Sequence, residues 1–366
     1  MSIKQSSLRW YALALTCLVA ALIIIGLLFI YSASAVFGME KCASAHYFVQ
    51  KQLIGLGLGI IALIIARAIP IRLWQHTSPL LALISVIITG LTLIPGFAST
   101  IHGSSRWLHL GISWQPSELL KISLILYTSA LLARQTTTGV PRRTWYYFLL
   151  ILGATTIILL QQPDFGLMVT LLATIALMFF ISNVAVKQLL IAGAAAVPLL
   201  FGLIILRPYR LKRILAFLNP WQDPQGAGFQ IIQSLIAIGS GGLCGVGIGH
   251  SKQKFFYLPM QHTDFIFAII AEETGFIGCS IIIILYLLLL YIGFKIAWQL
   301  ANRFCSFTVL GFSLLIHLQT MINLFVVLGL VPTKGIGLPF ISAGNSALIV
   351  HLSMLGIILG MIKHQK

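Results

Sequence analysis

The stretch FIFAIIAEETGFIGCSIIIILYLLLLYIG, residues 265–293, decides the class of fold. It carries two charged side chains, Glu272 and Glu273, and is otherwise predominantly apolar. About 20 such residues suffice for a helix to cross the hydrocarbon core of a bilayer. The run is longer than one crossing needs, so we expect a helix that is tilted or interrupted. Asp264 stands immediately before it.

The rest of the chain has the same apolar character. Of its 366 residues, 59% are hydrophobic and 8% are charged, against roughly 25% charged residues in ordinary soluble domains. Such a chain cannot form a water-compatible surface, which excludes a soluble enzyme, and its aliphatic and aromatic content excludes disorder. The 5 cysteines lack paired short spacings, so they indicate neither a disulfide scaffold nor a zinc site. The composition predicts a polytopic helical membrane protein.

Ten apolar runs are long enough to cross a bilayer. They are residues 11–31, 49–66, 77–95, 117–133, 145–161, 165–182, 187–206, 265–293, 306–330 and 342–362. The runs predict an all-α polytopic fold with about ten transmembrane helices, in one integral membrane domain over residues 1–366. Residues 207–262, between the seventh and eighth runs, are predicted to form a large structured extracytoplasmic loop.

The charges indicate an orientation for this topology. The net charge of +16 comes from 23 Lys and Arg against 7 Asp and Glu. Most of the bases sit at the ends of apolar runs, which favours contact with anionic lipid headgroups over nucleic acid as a partner. With both termini in the cytoplasm, the inner segments carry 12 Lys and Arg and the short outer loops carry 4. The 207–262 loop adds 6 bases on the outer side. The predicted orientation therefore requires that this loop be left out of the count, as a structured element.

The 207–262 loop has three recognisable parts. Arg207, Arg210 and Arg213 recur at every third residue, which predicts a short helix on the membrane surface. Residues 229–238 are apolar but too short to span, which indicates an interfacial or re-entrant helix. Six glycines within 239–249 are typical of tightly turned backbone, or of a cradle or hinge near an anionic ligand.

Acidic side chains beside membrane spans are costly, and they are the first candidates for chemistry. Asp264 lies where the chain re-enters the membrane and is suited to act as a single general base. If this stretch is helical, Asp264 and Glu272 lie ~12 Å apart along the axis. A glycosidase pair needs roughly 5–9.5 Å between its carboxylates. Glu272 and Glu273 are instead predicted to hold helices or loops together.

Other charged side chains lie at the ends of neighbouring runs. Glu118 and Lys121 are three residues apart in the fourth run, so they share a helical face and predict an ion pair that is structural or functional. Arg106 precedes this run on the outer side. Asp164 lies in a short outer turn, in the position of a helix N-cap. The histidines show no metal-ligand spacing.

Several short strings along the chain occur together in one family. They are IYSASA at 30–35, RW at 106–107, QPSELLK at 115–121, QPDFG at 162–166, IQS at 232–234, IAIGSGG at 236–242, HTDFIFA at 262–268 and PFIS at 339–342. In this order they resemble the SEDS family (shape, elongation, division and sporulation) over nearly the whole chain. The strings SKQKFFYLP at 251–259 and VPTKG at 331–335 are more similar to the division type, FtsW, than to the elongation type, RodA.

The chain departs from the family pattern at two places. Met260 stands where the family usually has Glu before the His-Thr-Asp string. Residues 342–346 read SAGNS in place of the usual Ser-Tyr-Gly-Gly-Ser. The first change removes an outer acid beside Asp264, and the second affects positioning near the last span.

The resemblance implies a peptidoglycan glycosyltransferase of the bacterial inner membrane, acting at the division septum. Its substrate would be lipid II, a disaccharide-pentapeptide on undecaprenyl diphosphate, which it would join into β-1,4 glycan strands by an inverting displacement. The implied partners are a class B penicillin-binding protein, a transpeptidase, and other divisome proteins. Assistance by a divalent cation, Mg²⁺ or Mn²⁺, is left open, and no cofactor is assigned. The alternatives are an elongation-type polymerase, a lipid II transporter and a scaffold for division proteins.

The resemblance and the residue chemistry together assign roles to individual side chains. Asp264 is the expected base. The expected substrate-binding residues are Arg106, Glu118, Lys121, Arg210 and Arg213. The residues expected to have a structural or substrate-positioning role are Asp164, His262, Glu272 and Glu273.

Overall fold

A computed structural model of the chain describes residues 3–94, 96, 98–101, 104–109, 113–135, 139–182, 208–226, 228–255 and 257–364. In these ranges the helices are α1 (Ile3–Cys42), α2 (Tyr47–Ala68), α3 (Ile71–Leu91), α4 (Ser117–Gln135), α5 (Arg142–Gln161), α6 (Phe165–Ile181), α7 (Pro208–Leu218), α8 (Phe229–Gly241), α9 (Ile266–Gln299), α10 (Arg303–Val327) and α11 (Asn345–Lys363). A short 3-10 helix covers Pro220–Gln222. The strands are β1 (Ala98–Ile101), β2 (Ser104–His109) and β3 (Ser113–Trp114).

The helical membrane fold predicted from composition is confirmed. Among the described residues, seven helices are long and apolar enough to cross a membrane: α1, α2, α3, α5, α9, α10 and α11. The predicted spans 117–133 and 165–182 lie on α4 and α6, but α4 carries three charged residues and α6 has 17 residues. The predicted span 187–206 lies outside the described residues, so the count of ten spans stays a prediction.

Helices α4, α10 and α11 form the buried centre of the bundle. Most side chains of α4 are enclosed, including polar ones such as Thr128 and Ser129. These two hydroxyls donate to the carbonyls of Leu124 and Ile125, one turn earlier. A polar side chain whose hydrogen bond closes within its own helix can be buried at low cost. The centre of the bundle can therefore carry polar residues toward the site.

A small antiparallel sheet precedes α4, and the sequence analysis did not predict it. Its strand order is β1-β2-β3, and Ser99 pairs with Trp107 while Leu108 pairs with Trp114. Strands of two to six residues are too short for a clear alternating pattern. Arg106 lies on β2 of this sheet.

Helix α9 is interrupted at Gly275 (φ 63°, ψ −162°), which confirms the expected tilt or interruption of this run. The carbonyls of Glu272 and Glu273 accept hydrogen bonds from Val246 and Gly247 in the glycine-rich loop. A break in a helix leaves backbone groups without helical partners, and this loop supplies new ones.

The glycine-rich segment therefore has a structural function at the break. None of residues 239–249 lines the cavity described below. The structure thus favours tightly turned backbone over a ligand cradle. Close approach of main chains explains the need for glycine at several of these positions.

A pair of glycine variants tests this packing. Gly241→Ala is expected to lower the free energy of unfolding by about 1–3 kcal/mol, because the added Cβ would overlap the carbonyl of Ala271. Gly239→Ala is the matched control, since its Cβ meets nothing within 4 Å and alanine favours helix. Thermal denaturation in detergent measures both, and equal stability of the two variants would contradict the packing argument.

Both short helices predicted in the 207–262 loop are present, as α7 and α8. Arg207 and the side chain of Arg210 lie outside the described part of the chain. The Nη1 atom of Arg213 on α7 donates to the carbonyl of Thr333, at 2.9 Å. This bond connects α7 to the segment between α10 and α11.

Candidate active site

A cavity of about 1100 Å³ opens where the N-terminal ends of α4, α6, α9 and α11 meet. Seven of the predicted site residues line it: Arg106, Glu118, Lys121, Asp164, Arg213, His262 and Asp264. Helix N-termini carry partial positive charge, and four of them meeting at one cavity favour an anionic ligand. The volume is that of a site for a sizeable ligand.

The main chain around Asp264 is fixed by α10 and by the segment that precedes α11. Asn323 Nδ2 donates to the carbonyl of Asp264 at 2.8 Å and to that of Ile336 at 2.7 Å. Ser342 Oγ donates to the carbonyl of Thr263 at 2.6 Å. The amide of residue 343 donates to the carbonyl of residue 262 at 3.0 Å. The carbonyls of residues 262, 263 and 264 are therefore all hydrogen-bonded. The carboxylate is thereby positioned at the start of α9, not within a helix.

The Asp264 carboxyl has the properties of a general base. Burial raises its pKa from 3.8 to about 7, and the nearby Asp164 carboxylate adds to this effect. Arg106 and Arg213 oppose the rise. Gly335 leaves room beside the carboxyl, because a Cβ there would lie 3.3 Å from Asp264 Oδ2. A base with a pKa near the working pH is suited to accept a proton from a hydroxyl.

Arg106 is bound to the turn between α5 and α6. Its Nε donates to the carbonyl of Gln162 at 3.2 Å and its Nη2 to that of Pro163 at 2.6 Å. Its Nη1 lies 3.9 Å from Asp164 Oδ1. Asp164 is the N-cap of α6 and accepts from the amide of Leu167 at 3.3 Å. Arg106 thus fixes this turn and places a positive charge near the cavity.

Glu118 and Lys121 form the ion pair that their spacing predicts. Lys121 Nζ lies 2.8 Å from Glu118 Oε2 and 3.1 Å from Gln319 Oε1. Gln319 Nε2 donates to the carbonyl of Gly337 at 3.0 Å. Both charged side chains are almost fully buried. The pair therefore connects α4 to α10 and to the α10–α11 segment.

His262 lies in an aromatic setting at the edge of the cavity. Its ring centroid is 4.4 Å from that of Phe48 and 5.6 Å from that of Phe37. Burial lowers its pKa to about 4. The imidazole is therefore neutral near pH 7 and cannot supply a cation to a phosphate.

Glu272 and Glu273 do not line the cavity. Glu272 accepts from the amides of Lys252 at 2.9 Å and Gln253 at 3.3 Å. Glu273 accepts from Ser32 Oγ at 2.6 Å and lies 3.6 Å from Lys254 Nζ. The two carboxylates connect the loop at 251–254 and helix α1 to α9.

The sequence analysis missed several polar residues of the cavity, including Lys334, Gln319 and His351. Lys334 Nζ lies 5.0 Å from the centroid of the Phe165 ring, and burial lowers its pKa. Lys334 belongs to the VPTKG string at 331–335, which distinguishes the division type from the elongation type. Lys334 lies 70 residues from Asp264 along the chain, so the sequence did not indicate that the two share a site.

In the part of the chain that the structure describes, the side chains do not form a cage for a metal. Among the described residues there is no group of three or more His, Cys, Asp and Glu that could hold an ion.

A family model described as cell cycle protein, named for FtsW, RodA and SpoVE, matches residues 12–366. Stage V sporulation protein E of Bacillus subtilis is 39% identical over 356 residues, which are 97% of this chain and 97% of that protein. The probable peptidoglycan glycosyltransferase FtsW of Trichlorobacter lovleyi is 39% identical over 360 residues, or 98% and 94% of the two chains.

Solved structures of related proteins are similar to this chain over nearly its whole length. A chain from a structure on the coordination of polymerization and crosslinking by a peptidoglycan synthase complex has a TM-score of 0.77 and 32% identity, covering 96% of this chain and 98% of that one. RodA of Thermus thermophilus has a TM-score of 0.68 and 27% identity, with coverage of 96% and 97%. The match along nearly the whole length shows that this chain belongs to the SEDS family of FtsW, RodA and SpoVE proteins.

Proposed function

We propose that this chain is a peptidoglycan glycosyltransferase that joins lipid II units into β-1,4 glycan strands during division. The observation that carries the proposal is the cavity, in which the Asp264 carboxyl has a pKa near 7 and lies among basic side chains. The name of the Trichlorobacter lovleyi relative supports this reaction class. A cavity that combines a base with cations fits an acceptor hydroxyl and a diphosphate donor.

In the proposed mechanism, Asp264 accepts the proton of the acceptor sugar hydroxyl while that oxygen attacks the anomeric carbon of the donor. The new C–O bond forms as the bond to the diphosphate breaks, and the diphosphate leaves with the bonding electrons. A single displacement inverts the anomeric configuration. Arg213, Lys334 and the helix N-termini are placed to stabilise the charge on the leaving group. No second carboxylic acid is needed, because a stabilised diphosphate leaves without a proton.

A direct assay tests the proposal against its alternatives. Detergent-purified chain is incubated with fluorescent lipid II, with and without a class B penicillin-binding protein, and the products are separated by gel electrophoresis. We expect long glycan strands. Movement of label across vesicle membranes without polymer would favour a transporter. If neither polymer nor movement of label is seen with the partner present, a scaffold would be favoured. The partner is included because the chain is similar to part of a peptidoglycan synthase complex.

The proposal also includes a cellular setting. Both termini lie in the cytoplasm and the Asp264 cavity opens outside, since most Lys and Arg of the short loops then fall on the inner side. The protein acts at the septum with other divisome proteins. This places the base where lipid-linked saccharides are polymerised outside the inner membrane.

The pH dependence of the polymerisation rate reports on Asp264. A general base works when ionised, so the rate should rise with pH, with a midpoint at about 7. Arg213→Gln should move this midpoint upward, because Arg213 lowers the pKa of Asp264. Lys252→Gln is the control, since this exposed base lies outside the cavity. A rate that falls through pH 7, or a midpoint that Arg213→Gln does not change, would contradict the assignment.

A further inference from the structure

The two ends of the cavity differ in charge. Asp264, Asp164 and the bases Arg106, Arg213 and Lys334 lie at the end formed by α7, the turn between α5 and α6 and the 331–335 segment, so that end carries three bases against two carboxyls. At the other end, which we term the inner subsite, the charges of Glu118 and Lys121 cancel. The inner subsite consists of Glu118, Lys121, Gln319 and His351.

His351 is the most unusual member of the inner subsite. It lies two turns into α11, is 1% exposed and lines the cavity. Among the described residues, neither of its ring nitrogens has a hydrogen-bond partner. Its ring packs against Phe340 at a centroid distance of 5.2 Å. A buried donor and acceptor without partners are unfavourable unless a ligand or water completes their bonds.

The inner subsite offers both donors and acceptors to a ligand. A neutral imidazole has one N–H donor and one acceptor nitrogen. Lys121 uses two N–H groups on Glu118 and Gln319, which leaves a third. Glu118 is bonded through Oε2, and its Oε1 can still accept. A phosphate requires an excess of donors and positive charge, whereas sugar hydroxyl and acetamido groups need donors and acceptors together.

We infer that the inner subsite binds an N-acetylated sugar ring of the substrate through His351, Lys121 and Glu118, and that the diphosphate lies at the end with Arg213 and Lys334. This inference rests on the proposed function and names which part of the substrate each end of the cavity holds. His351 then contacts the sugar and determines selectivity for a saccharide-bearing lipid.

Two soluble ligands with the same anchor separate the ends of the cavity. One is farnesyl diphosphate, and the other is farnesyl diphosphate linked to the N-acetylated disaccharide. Binding to purified full-length chain is measured by isothermal titration calorimetry in detergent. His351→Leu should weaken the saccharide ligand about tenfold and leave farnesyl diphosphate unchanged. His351→Gln, which keeps a donor and an acceptor, should retain most of the affinity. Lys334→Gln should weaken both ligands by the same factor.

The outcomes are distinguishable from one another and from those of the polymerisation assay. Equal binding of the saccharide ligand by His351→Leu and the unaltered chain would overturn the inference, as would an equal loss for both ligands. A wild-type chain that binds both ligands alike would overturn it too.

His351→Leu should also melt at a higher temperature without ligand, because it removes unpaired buried nitrogens. Saccharide-dependent binding in a chain that cannot polymerise lipid II would refute the proposed function and keep the inference.

Discussion

Asp264→Asn is expected to lower the rate of lipid II polymerisation by roughly 10²- to 10⁴-fold. The amide has nearly the shape of the carboxyl but cannot accept the proton of the acceptor hydroxyl. The hydrogen bonds that fix this position run through the main chain of residues 262–264, so the substitution leaves them in place. Initial rates of glycan synthesis measure the effect, with Glu40→Gln as the control at an exposed carboxylate.

The thermal stability of Asp264→Asn provides an independent check. Burial raises the pKa of Asp264 from 3.8 to about 7, so the folded chain keeps a proton that the unfolded chain has released. The stability contributed by this protonated carboxyl is full below pH 3.8 and is lost as the pH rises through about 7. Asparagine does not titrate, so the variant should melt at a higher temperature than the unaltered chain at pH 8. An Asn variant with normal activity would show that Asp264 is not the base.

Glu118→Leu is expected to reduce the free energy of unfolding by about 3–5 kcal/mol. It would leave the Lys121 ammonium buried, with Gln319 as its remaining hydrogen-bond partner. An unpaired buried charge is far more costly than the loss of an exposed pair. Lys41→Gln is the matched control, because it breaks the exposed pair with Glu40 at 3.8 Å and should change stability little.

The double variant Glu118→Leu with Lys121→Met separates stability from function. Removing both charges should restore most of the stability, because well-packed apolar residues replace a buried pair at little cost. Activity should not return, since the polar groups of the inner subsite are lost. Thermal denaturation and initial polymerisation rates measure the two properties. A single Glu118→Leu variant as stable as the unaltered chain would contradict the burial argument.

The two departures from the family pattern change side chains, but the main-chain contact at residue 343 is still made. Ala343 stands where a tyrosine is usual, yet its amide still donates to the carbonyl of His262 at 3.0 Å. Met260 and Ala343 both line the cavity. The amide is a main-chain group, so the bond that positions the Asp264 segment does not depend on which side chain stands at residue 343.

The sequence by itself predicted the membrane class, the approximate helices and the Glu118–Lys121 pair, and it indicated that α9 is tilted or interrupted. These properties are local, since they depend on the length of an apolar run or on the 3.6-residue period of one helix. The same reasoning identified Asp264 as a carboxylate at a membrane boundary. It could not find the short strands before α4, which lack a readable period.

Tertiary packing alone decided that Lys334 and His351 share one cavity with Asp264 and Arg106, although the four residues lie up to 245 positions apart in the chain. Packing also separated Glu272 and Glu273 from that cavity, although they follow Asp264 closely in sequence. Helices that are apolar on nearly every side do not indicate which face meets which neighbour. The contacts between helices fix those faces, and so they fix which polar groups meet.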